Sequence, residues 1–141
     1  MEYRQFGDTY VLRLDRGEEI MTSLERFCRE EGILLASVQG LGASDHAVVG
    51  LYDVAERQYH KHVFDEPMEI VALHGNISAK EGEVYLHLHI ALGRSDAGVI
   101  GGHLNECRIS ATCELFVRPL DGRVERFLDE AETGLNLYRF L

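Results

Sequence analysis

Two histidines interrupt the apolar run "VYLHLHIAL" at residues 84–92, and a third follows in "GGHL". Imidazole ligates transition metals and titrates near neutral pH. His87, His89 and His103 are therefore the first candidates for chemistry. In a β-strand successive side chains point to opposite faces. Val84, Leu86, Leu88, Ile90 and Leu92 then line one face, while Tyr85, His87, His89 and Ala91 line the other. Same-face neighbours lie roughly 6.5–7 Å apart along the backbone. Two imidazoles at that separation can lean onto one ion held about 2.0–2.1 Å from each nitrogen. A second H-x-H, His60 and His62 in "RQYHKHVF", flanks Lys61 among polar neighbours and reads as an exposed strand. His46 follows Asp45 in what reads as a surface loop.

The elements that must carry these residues show in the periodicity. "YRQFGDTYVLRL" reads as an entering strand. Ile20, Leu24, Phe27 and Cys28 then recur at helical spacing with charges between them. Acidic Glu18 and Glu19 at the start and Gly32 at the end predict one clear helix over residues 18–31. Strand signals follow: "ILLASVQGLGA", broken by two glycines, a hairpin of "HAVVGLYDV" and "QYHKHVF", a strand over residues 68–73, the histidine strand, and "ECRISATCELFV". In that last run Cys107, Ile109, Ala111, Cys113, Leu115 and Val117 are expected on one face. The tail ends in a strand, "LNLYRF". One helix among many short strands predicts an α+β fold, a single domain over residues 1–141 with a mainly antiparallel sheet.

Composition narrows the function classes. A chain of 141 residues with 45% hydrophobic content can bury a real core. The formal net charge of −10, with Lys and Arg scattered, has the wrong sign for gripping phosphates. Direct nucleic-acid binding is not expected. No run approaches a membrane span, and the first residues hold no apolar leader. Three cysteines without a C-x-x-C pair read as reduced thiols of a cytoplasmic protein. "GLGAS" and "GVIGGHL" do not match G-x-G-x-x-G and read as turn or close-approach glycines rather than phosphate cradles.

Three pieces in order, "LGASDHAVVGLYD", "EIVALHGNIS" and "VYLHLHIALGRSDAGVIGGHLNECRISATCELFV", resemble the PPC domain (plants and prokaryotes conserved). The most specific part is H-x-H, a Gly-containing turn, G-G-H-L, and a strand with Thr112-x-Glu114. The resemblance implies a curved, mainly antiparallel sheet with few helices and a homotrimer. It also implies a zinc-like divalent transition metal held by His87, His89 and His103. Plant relatives carry a DNA-binding AT-hook ahead of the domain; this sequence has none, so any DNA association would run through partners. His74, in "ALHGN", departs from the family's small hydroxyl residue at that position.

Two functions follow as expectations, and a third, a direct DNA-binding regulator, is disfavoured by the acidity and the missing AT-hook. The first is a trimeric, metal-binding protein of regulatory or unknown cellular role. The second is a metal-dependent enzyme acting on a small molecule in a subunit cleft, because three imidazoles leave a ligand position open. Glu114, Asp96, Glu69 and His74 are its candidate acid–base groups. A cupin metalloenzyme also uses H-x-H, but the Glu expected after it and the Pro-x-Gly piece are absent.

Overall fold

Ile20, Leu24, Phe27 and Cys28 are fully buried along one side of α1 (Ile20–Glu31) in the computed structural model, which describes residues 1–140. The helix starts two residues later than expected because Glu19 is its N-cap. The Glu19 carboxylate accepts from the backbone N–H groups of Met21 and Thr22 at 3.0 and 2.8 Å. Gly32 closes the helix in the left-handed conformation, φ 67°. Phe27 packs edge-on against Tyr3 and Tyr10, with ring centroids 4.9 and 5.2 Å away. Burying such a ring stabilises the fold by about 2–3 kcal/mol.

The sheet holds β1 (Glu2–Phe6), β2 (Thr9–Asp15), β3 (Ala36–Asp53), β4 (Gln58–Phe64), β5 (Met68–Lys80), β6 (Glu83–Gly93), β7 (Val99–Pro119), β8 (Glu125–Leu128) and β9 (Asn136–Arg139). Every pairing is antiparallel except a short parallel contact of β5 with β8. This is the α+β arrangement the periodicity predicts. β3 pairs with β5 and β7, and β6 pairs with the same two strands. These four strands therefore form a closed circuit, which forces the sheet to curve. Leu88, Ile90 and Leu92 point into the core, so the histidine face of β6 points out of it. No helix among the described residues is long and apolar enough to cross a membrane.

The differences from the sequence reading have local causes. The entering segment is a hairpin, β1–β2, turned at Gly7 rather than one strand. β3 runs unbroken through Gly40 and Gly42, because a Cβ at either position would collide with the β7 backbone. The glycines there permit close approach instead of ending the strand. β5 continues past Leu73 to Lys80. Ala111 is exposed although Ile109 and Cys113 are buried. The β3–β7 register shifts between Gly42 and Ser44, and the β7 residues looped out there lose their alternation. His46 lies within β3, not in a loop, and pairs with Asp65.

Candidate metal centre

His87, His89 and His103 converge because two periodicities meet. His87 and His89 are two apart on β6 and share a face. His89 stands directly opposite His103 in the β6–β7 ladder. Opposite residues of an antiparallel pair have Cβ atoms about 4.5–5.5 Å apart. The register is fixed by the turn between Gly93 and Val99. Arg94 donates its backbone N–H to the Gly98 carbonyl at 2.8 Å, and Ala97 takes φ 62° within the turn. Ring centroids are 5.1 Å apart for His87–His89, 5.3 Å for His87–His103 and 5.7 Å for His89–His103. One nitrogen from each ring lies within 4.8 Å of the others. Three nitrogens around a tetrahedral zinc lie roughly 3.4 Å apart, so modest ring rotations fit a shared ion. The donor set, three imidazoles, suits zinc and its divalent neighbours.

The surroundings are electrically unusual for an acidic chain. Burial pulls the His87 pKa down from 6.5 to about 4, and the positive charge of Arg126 and the other two rings add to the effect. His103 is lowered as well, by burial first and then by His89. Among the described residues no carboxylate pairs with any of the three rings. Both half-buried imidazoles are therefore neutral at pH 7, the form that ligates a metal.

The neighbours extend the site. His74 on β5 is the register partner of His89, with ring centroids 6.4 Å apart. Tyr59 on β4 presents its ring edge to His103 at 6.0 Å and accepts a hydrogen bond from Asn105 Nδ2 at 2.6 Å. Asn76 stands opposite His87 and accepts from Arg126. Of the four acid–base candidates, only His74 lies at the cluster. Glu114 is eleven residues beyond His103 on β7 and lines a separate cleft with Met1, Tyr3 and Phe116. Asp96 caps the β6–β7 turn by accepting from the Gly98 N–H, and Glu69 pairs with Gly93 near that same turn. His60 and His62 are exposed on β4, as the polar context predicts. The thiols are excluded as ligands. Burial raises Cys28 and Cys113 to about 12 and Cys107 to about 11, which keeps all three protonated.

Tyr59, Asn76, Asn105 and Arg126 were not legible in the sequence as site residues. Each comes from a strand whose register with the histidine strand no local pattern encodes.

The low His87 pKa has a consequence for stability. A group whose protonation is disfavoured in the folded state draws the chain toward unfolding as pH falls from 6.5 through about 4. The stability is fully present above that window, and the loss is complete below it. Solvent screening at a half-buried ring reduces the effect well below the roughly 3 kcal/mol of the full shift, to about 1 kcal/mol. Urea unfolding of chelator-treated protein at pH 7 and pH 4.5 is expected to show wild type losing that much more stability than His87→Gln. Equal losses would show that His87 is not held neutral.

Comparisons with known proteins match the chain by sequence and by fold. A structure from Bacteroides thetaiotaomicron, described as that of a candidate DNA-binding protein, superposes with a TM-score of 0.95 at 36% identity, covering 99% of this chain and 96% of that one. A metal-containing protein of Archaeoglobus fulgidus superposes with a TM-score of 0.89 at 40% identity, covering 99% and 97%. The bifunctional protein GlmU of a Synechococcus strain is 33% identical over 135 residues, which is 92% of this chain. That stretch is 20% of GlmU, so the chain spans about a fifth of that relative's length. The model of the Plants and Prokaryotes Conserved (PCC) domain, the PPC domain of the resemblance above, matches residues 1–121. The chain belongs to the PCC domain family.

Proposed function

We propose that the chain is a metal-binding PCC-domain protein in which His87, His89 and His103 hold one divalent transition metal, with zinc the first choice. The observation that carries this reading is the convergence of three imidazoles, two half-buried and one exposed, with one nitrogen from each within 4.8 Å of the others. A relative 40% identical that is called metal-containing supports it. The protein acts as a cytoplasmic homotrimer. Large apolar side chains left exposed on the strands, among them Leu51, Val63, Val71 and Val99, supply surface for subunit contact. Any regulatory role that involves DNA is exercised through partners, because a chain of net charge −10 repels phosphate.

A second reading is favoured by one observation. His89 is exposed and three protein ligands leave a position open. That arrangement suits a metal-dependent enzyme acting on a small molecule, with His74 and Tyr59 as the groups near enough to handle a proton.

Plasma mass spectrometry of tag-free protein, combined with sedimentation, tests the first reading. About one transition metal per chain is expected, in a particle three times the 15.9 kDa chain mass. A monomer without metal, even after zinc addition, would overturn it.

A further inference from the structure

Arg126 is a buried cation with no anion to answer it. The residue is 9% exposed, and among the described residues no carboxylate forms an ion pair with it. It is held firmly in place. Nε donates to Ser78 Oγ at 2.7 Å, one Nη donates to the Asn136 carbonyl at 2.8 Å, and the other donates to Asn76 Oδ1 at 2.9 Å. The rings of Tyr85 and Tyr138 lie 4.6 and 4.4 Å from its Cζ. A guanidinium has five N–H donors. These contacts use three, which leaves one free on each Nη.

The location gives the arginine its meaning. Asn76 is the register partner of His87, and Ser78 is the partner of Tyr85, two residues before His87 on β6. The guanidinium is thus hydrogen-bonded to the residue that stands directly across the ladder from His87. A chain with 24 acidic residues places none of their carboxylates in ion-pair reach of Arg126 or the three rings. Burying an unpaired charge is costly, and proteins accept it where a ligand completes the pairing. A divalent ion on the three imidazoles would add two further positive charges beside Arg126.

Building on the metal-binding reading, the geometry points to a small oxyanion, a carboxylate or a phosphate group, bound between the three-histidine centre and the free N–H groups of Arg126. The planar fork of arginine matches either anion with two parallel hydrogen bonds. The arginine is thus a specificity residue for a negatively charged ligand. A neutral molecule would leave the positive site unanswered.

The test uses full-length protein loaded with cobalt(II), whose visible spectrum reports changes at the metal. Malonate, inorganic phosphate and, as a neutral metal ligand, imidazole are titrated into wild type, Arg126→Gln and Arg126→Lys. Wild type is expected to bind malonate or phosphate, and whichever binds more tightly identifies the anion class. Arg126→Gln should weaken that anion about tenfold or more, the weight of lost charge-assisted hydrogen bonds. Arg126→Lys should fall between, and imidazole affinity should change less than about twofold. Cobalt that loads normally with anion affinity equal in wild type and both variants would overturn this inference and leave the metal site standing. Failure of wild type to take up cobalt would overturn the metal reading itself. Should Arg126→Gln not fold, the crystal structure of the cobalt-loaded wild type with the anion decides. An anion oxygen within hydrogen-bond distance of an Arg126 Nη supports the inference, and an anion bound elsewhere overturns it.

Discussion

Replacing any one of His87, His89 or His103 with alanine is expected to weaken transition-metal binding by at least about 100-fold. Removing partners that merely orient a ligand costs 10–100-fold, so losing a ligand itself costs more. Three donors are the smallest set that leaves a site with working affinity, and none of the flanking groups can substitute. Glu114, Asp96 and Glu69 lie away from the cluster, and the three thiols are buried elsewhere and protonated. His74 is the one spare imidazole within reach, with its ring centroid 6.4 Å from that of His89. The His74→Ala variant should therefore lose only a few-fold in affinity. The double variant His60→Ala/His62→Ala should lose nothing, because both residues are exposed on β4 apart from the cluster. Competition against a zinc chelator measures the whole series. Equal affinities for His60→Ala/His62→Ala and His87→Ala would show that zinc binds anywhere on the surface. The pH dependence adds a check. His87 keeps its proton off down to about pH 4, so proton competition at this one ligand should set in at lower pH than at an ordinary surface histidine.

The parts of this site that the sequence reveals are those governed by local periodicity. Alternation along residues 84–92 places His87 and His89 on one face and Leu88, Ile90 and Leu92 in the core, and the structure agrees. Helical spacing finds Ile20, Leu24, Phe27 and Cys28 for the same reason. His103 is different. Its place opposite His89 depends on the number of residues in the turn and on its bends, which periodicity does not encode, and the family resemblance supplied it. Arg126 lies further out of reach. It arrives from a four-residue strand, β8, that touches β5 through a single parallel pairing. In "GRVERFL" it is one charged residue among several. Long-range register also explains the misjudged strands. Gly40 and Gly42 look like breaks from within the strand and prove to be contact points from across it.

Gly75→Val is expected to be the most damaging single change in the sheet. Gly75 lies between His74 and Asn76 on β5, opposite Leu88 of β6. A Cβ built there would overlap the His87 carbonyl oxygen and come within 2.8 Å of the Leu88 Cα. Both are backbone atoms, which cannot rotate aside as the tip of a flexible side chain does. The strands must separate or slide, and either motion disturbs the ladder that holds His87 and His89. Overpacking inside a well-formed core costs about 1–3 kcal/mol, and more where backbone must shift. Valine adds two methyl groups to that collision, so a loss of at least about 3 kcal/mol is expected, with Gly75→Ala near the lower end of the range. Thermal unfolding of the metal-free proteins measures this cost directly. Adding zinc to a folded Gly75→Ala variant then separates two effects. Stabilisation by metal scales with occupancy of the native site. A smaller zinc-induced rise in Tm than in wild type would place the damage at the histidine pair as well as in the core. An equal rise would mean that β6 keeps its histidines in register while β5 alone absorbs the strain.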